Sequence, residues 1–65
     1  MPFVLSGKVI RLVDVIYVES IRNNVFYHFK DGSVIKRRAK ISNVENELKN
    51  FDFVRCHQSF IVNMV

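Results

Sequence analysis

Phe51-Asp52-Phe53-Val54-Arg55-Cys56-His57-Gln58-Ser59-Phe60-Ile61-Val62-Asn63-Met64-Val65 is the stretch whose reading decides the fold. A block of polar groups, Arg55 to Ser59, separates two apolar runs, Phe51 to Val54 and Phe60 to Val65. Within them, Phe53-Val54 reads as a bend and Phe60 to Val65 as a buried strand. The polar block between them reads as a loop at a rigid sheet edge, where binding residues concentrate.

Working outward, the segment just before this one has a different period. Ile41, Val44, Leu48 and Phe51 recur at intervals of three, four and three residues, which is helical spacing. Ser42 with Glu45 has the form of a capping box, so a helix of about two turns is expected from Asn43 to Lys49. Upstream the pattern is β. Phe3–Leu5 and Lys8–Leu12 flank Ser6-Gly7 as a short hairpin, and Val13-Asp14-Val15 forms a corner before the branched run Ile16–Ser20. Ile21-Arg22-Asn23-Asn24 is the next turn, its asparagines tolerating left-handed backbone. Val25, Tyr27 and Phe29 share one face of the following strand, with Phe26 and His28 on the other. Asp31-Gly32 then turns the chain into Ser33–Ala39. The fold class is therefore mostly β: short antiparallel strands and hairpins with one short helix.

Composition sets the outer bounds. Sixty-five residues make one small domain, and a chain this short buries only about 60% of the surface its unfolded form exposes. A single cysteine, Cys56, excludes an internal disulfide, and two histidines beside it are too few for a structural zinc site. No cofactor is expected. Association with another copy, a homodimer, is one way to make up the short core. The net charge of +4 and pI near 9.7 favour acidic partners. Residues 1–32 carry four Lys/Arg against three Asp/Glu, and residues 33–65 carry six against three, so the excess lies around Lys36, Arg37, Arg38 and Lys40. Met1–Leu5 does not read as a secretion signal and no run approaches a bilayer span. With one thiol, cytoplasm is the expected compartment.

The final stretch also resembles the signature of the LytTR DNA-binding family, roughly Phe-x-Arg-x-His-x-Ser-aromatic-Ile/Val-Val-Asn. Phe53, Arg55, His57, Ser59, Phe60, Ile61, Val62 and Asn63 meet it. Asp14-Val15-Ile16-Tyr17-Val18-Glu19-Ser20 is similar to that family's Asp-Ile-x-Tyr-Ile-Glu-Ser segment, and Asp31-Gly32 to its strand-connecting turn. The resemblance implies that residues 1–65 are a partial LytTR-type domain. The family's final β-hairpin would lie beyond Val65, leaving the Phe60–Val65 strand with an unpaired edge. It further implies sequence-specific binding of double-stranded DNA at promoter direct repeats, within a bacterial transcription regulator of the response-regulator kind. Loops Arg22–Asn24 and Arg55–Gln58 would enter successive major grooves.

The chemistry of the residues suits that expectation. Arginine pairs with guanine O6/N7, and asparagine or glutamine with adenine N6/N7, so Arg22, Asn23, Asn24 and Gln58 are candidate readers. The plain alternative for Asn23-Asn24 is turn chemistry, with Arg22 a solvated charge. Arg55 and His57 would contact phosphate or buttress their loop. Ser59 and Asn63 are read as structural, satisfying backbone groups. Lys36, Arg38 and Lys40 fall on one strand face and Arg37 on the other. Lys36 and Arg38 are candidate phosphate contacts, although basic edge residues also discourage sheet aggregation. Cys56 reads as a small, partly buried apolar residue.

Nothing here is arranged for catalysis. Two glycines make no phosphate loop, Cys56 and His57 are adjacent on a strand and so would point to opposite faces rather than pair as an activated thiol, and no small-molecule substrate or membrane partner is implied. A protein-interaction module that no longer binds DNA is the rival reading. A single-strand binder would need exposed aromatics, for which Phe26 is the one evident candidate.

Overall fold

The computed structural model describes residues 2–5 and 7–64. In chain order the elements are β1 (Pro2–Leu5), β2 (Lys8–Arg11), a 3-10 turn (Leu12–Asp14), β3 (Val15–Ile21), β4 (Asn24–Phe29), β5 (Val34–Arg38), α1 (Ile41–Leu48), β6 (Phe53–His57) and β7 (Phe60–Asn63). β1 and β2 pair as a separate antiparallel hairpin. The other five strands form one antiparallel sheet in the order β5-β4-β3-β7-β6. Mostly β with one helix is thus the observed class.

Alternation along the strands assigns the two faces of this sheet. Val15 and Val18 of β3, Val25, Tyr27 and Phe29 of β4, Phe53 of β6 and Ile61 of β7 point inward and are buried. Helix α1 covers them with Ile41, Val44 and Leu48, the periodic residues of the sequence, while Phe51 packs against the same core. Leu12 from the 3-10 turn belongs to the same cluster, and Ile10 and Ile35 pack against the cluster from outside. Burial drives these contacts, each fully enclosed Val, Leu or Ile contributing about 1.5–3 kcal/mol relative to an exposed one. A register shift between Val15 and Tyr17 leaves Ile16 as the extra residue, 46% exposed, and moves Tyr17 to the outer face.

Polar groups at the core boundary are satisfied. Arg37 Nη1 donates to the Tyr27 hydroxyl at 3.2 Å, and burial raises the phenol pKa against the opposing effect of that bond. Asn63 Nδ2 donates to the carbonyls of Val15 (2.8 Å) and Leu12 (3.3 Å), the backbone role expected for it.

Several expectations change. The helix begins at Ile41 after Lys40, with no side-chain cap, so Ser42 and Glu45 form no capping box. The Glu45 carboxylate turns instead to Arg55. β7 is not an edge: it lies between β3 and β6, and the free edges belong to β5 and β6. The left-handed residue of the β3–β4 turn is Arg22, with φ +59°, rather than either asparagine. Asn24 already belongs to β4. In the first hairpin, Ser6 lies outside the described residues, while Gly7 adopts the positive φ of a turn.

Candidate nucleic-acid interface

Three chain segments meet at one end of the five-stranded sheet. Ile21 pairs with Asn24 across the two-residue turn Arg22-Asn23, and Asn24 pairs with Arg38 at the end of β5. The Ala39 amide donates to the Asn23 carbonyl at 3.1 Å, tying the end of β5 to that turn. On the other flank of β3, the Ser20 amide donates to the Ser59 carbonyl at 2.8 Å. That bond brings the Gln58-Ser59 turn to the same end.

The first cluster is a groove of about 520 Å³ lined by Arg22, Asn23, Asn24, Lys36 and Arg38. Five of the eight residues singled out from the sequence therefore come together. Lys36 and Arg38 share the outer face, as the strand alternation predicts, and both are exposed. Arg37 lies on the inner face and is committed elsewhere: its Nη1 and Nη2 bind Glu47 Oε1 and Oε2 at 2.6 and 2.9 Å. These bonds hold the Glu47 carboxyl below the usual glutamate range and push the Arg37 guanidinium further up. Arg22 and Arg38 have no such acidic partner among the described residues. The groove thus combines uncommitted guanidinium groups with two amides, the donor set that suits phosphate oxygens and base edges.

The second cluster corrects the loop expected over Arg55–Gln58. Arg55, Cys56 and His57 are the end of β6, and only Gln58 and Ser59 form the turn. A register shift between Arg55 and His57 makes Cys56 the extra residue of a bulge and leaves its thiol exposed, not partly buried. Arg55 reaches Glu45 Oε1 with Nη1 at 3.1 Å and the Gln58 carbonyl with Nη2 at 2.8 Å. His57 Nδ1 accepts the Ser59 amide at 3.2 Å, which in a neutral ring leaves the proton on Nε2. Both side chains buttress the turn. Ser59 is held through its backbone N–H and C=O rather than its hydroxyl. The Gln58 side chain is exposed, with donor and acceptor both unengaged among the described residues.

The two turns sit on neighbouring hairpins, two strand spacings or about 10 Å apart.

Glu45 was invisible as a site residue in the sequence, because its partner is ten positions away on another element. The outer face also holds more aromatics than Phe26. Tyr17 stacks on His28 at 4.2 Å with 9° between planes, and Phe60 lies 6.2 Å from Tyr17 and 5.6 Å from His57. The Tyr17 and His28 rings thus cover one face of each other. Among the described residues no His, Cys, Asp and Glu group is placed to hold a metal ion, and no helix is long and apolar enough to cross a membrane.

Comparison with known proteins agrees with this architecture. No curated protein matches the chain. Among solved structures, the LytTr DNA-binding domain of a protein described as a methyl-accepting/DNA response regulator from Bacillus cereus superposes with a TM-score of 0.74 at 22% identity. The match covers 97% of this chain and 59% of that one, a likeness of fold. The sequence pattern of the LytTr DNA-binding domain matches residues 7–65, nearly the whole length, and the chain belongs to that family of DNA-binding domains.

Proposed function

We propose that this chain binds double-stranded DNA sequence-specifically, as part of a bacterial transcription regulator of the response-regulator type working in the cytoplasm. The observation that carries the reading is the gathering of two polar turns and a cationic groove at one sheet end. Gln58 reads an adenine edge in the major groove, while Arg22, Asn23 and Asn24 engage the flanking base edges and backbone. Lys36 and Arg38 meet phosphates beside them. Repeated binding along a promoter would then place separate copies on direct repeats, each covering one stretch of duplex. No step of this reading requires catalysis or a cofactor.

A protein-interaction role is the second reading, and the outer sheet face favours it. Val34 and Ile21 are each 50% exposed there and Val54 51%, an apolar surface of the kind that packs sheet to sheet in a homodimer. Fluorescence anisotropy with a random-sequence duplex separates the two. Binding that weakens steeply with salt supports DNA recognition, whereas absent or salt-independent binding supports the interaction module.

A further inference from the structure

Helix α1 crosses beneath the sheet and grips both of its edge strands. Glu47 holds Arg37 of β5, and Glu45 holds Arg55 of β6. The second grip continues further, because Arg55 also donates to the Gln58 carbonyl at 2.8 Å. Glu45, Arg55 and the Gln58 backbone therefore form one continuous chain from the helix to the turn.

A guanidinium is a rigid planar fork, so engaging two acceptors at once fixes both in direction. Here one acceptor is a carboxylate on a packed helix and the other is the peptide group carrying Gln58. Two bonds from an amide to one base edge require placement to within about 0.5 Å and 10–20°. The turn has only two residues between strands, and β6 is bulged just before it. Without the fork, the peptide after Gln58 would be held mainly by the Ser59 bonds to His57 and Ser20.

We propose that Glu45 is a specificity-determining positioning residue: through Arg55 it fixes the Gln58 carbonyl and so aims the Gln58 amide at the DNA. The proposal rests on the DNA-reading role given to Gln58 above. It also removes Arg55 from the phosphate contacts, since its charge is matched by Glu45 and two of its nitrogens are engaged. Arg55 and His57 then share one task, clamping the two residues of the turn from either side.

The test uses Glu45→Met, which keeps side-chain length but removes the acceptor for Arg55, at a site 43% exposed that spares the core. Binding to a randomised short duplex pool first identifies a preferred sequence. Affinities for that duplex and for a scrambled one are then compared. Glu45→Met should narrow their ratio by about tenfold while leaving the scrambled duplex within about twofold. Amide exchange at Ser59 should quicken in the free protein. Arg55→Lys should behave like Glu45→Met, because an ammonium has no fork. An unchanged ratio overturns the proposal. So does tighter binding to both duplexes with a salt slope steeper by about one contact, since Arg55 would then be a phosphate ligand released from Glu45. Gln58→Ala in the otherwise unaltered chain separates the two claims. If it leaves the ratio intact, the reading of Gln58 fails and this proposal with it; if it collapses the ratio while Glu45→Met does not, only the positioning role fails.

Discussion

Replacing Arg38 by glutamine should change the salt dependence of DNA binding by a calculable amount. Arg22, Lys36 and Arg38 line the groove, and each phosphate contact contributes about 0.9 to the slope of log K against log salt. Three contacts give a slope of about −2.7, so raising salt fourfold, from about 50 to 200 mM, weakens binding about 40-fold. Arg38→Gln removes one contact, leaving a slope of about −1.8 and a loss of about 12-fold over the same range. Arg37→Gln is the matched control. It deletes the same charge one residue away, but from the inner face, where Glu47 already neutralises it. Its slope should stay at the original value while its melting temperature falls. Anisotropy titrations of a labelled duplex at four or so salt concentrations would measure all three slopes. Equal slopes for the Arg38 and Arg37 variants would refute the reasoning, because net charge alone would then govern binding and the groove would be incidental.

Three further outcomes are expected. Gln58→Ala should cost about 1–3 kcal/mol on a preferred duplex and nothing on a scrambled one, read by competition binding. Leu48→Ala removes a fully buried side chain from the helix–sheet contact and should cost about 2–5 kcal/mol. Against a total stability of about 3–10 kcal/mol for a domain this size, that is enough to lower or abolish the thermal transition seen by circular dichroism. Glu47→Gln tests the second helix grip through pH. The Glu47 carboxyl is depressed in the fold by the Arg37 bonds, so its stabilisation is present above the ordinary glutamate value of about 4.3. It is lost as pH falls below that value through the folded one. The variant should melt lower than the parent at neutral pH, by an amount equivalent to about 0.5–1 kcal/mol for a partly exposed pair, and the gap should close as pH falls below the ordinary glutamate range. A gap that persists in acid would mean the effect was packing rather than charge.

The local periods were legible and the long-range partners were not. Alternation through Val25, Tyr27 and Phe29 identified the inner face, and the spacing of Ile41, Val44, Leu48 and Phe51 identified the helix with its buried stripe. Both rest on repeats within one element. The capping box failed because Ser42-x-x-Glu45 is a local pattern, and the Glu45 carboxylate finds Arg55, whose proximity depends on how β6 crosses the helix. The reach of β6 to His57 was hidden for a similar reason. Polar residues read as loop, yet Arg55 and His57 are strand residues paired with Ile61 and Phe60. Within the candidate site, residue types picked out Arg22, Asn23, Asn24, Lys36 and Arg38, which do gather in one groove. What types alone could not separate was Arg55 from Arg38, one engaged by its neighbours and one open to a ligand.

Spatial order in the sheet has a consequence for synthesis. β3, β4 and β5 follow one another in the chain and pair as they emerge, but the flank of β3 waits for β7, more than forty residues later. Asn63 likewise finds its carbonyl acceptors 48 and 51 residues upstream. A nascent chain halted after α1 would thus expose the unpaired side of β3, with Tyr17 and Val18 along it, until translation resumes. Slow codons in that interval would favour aggregation, and capture of the waiting edge by a chaperone would favour the native arrangement.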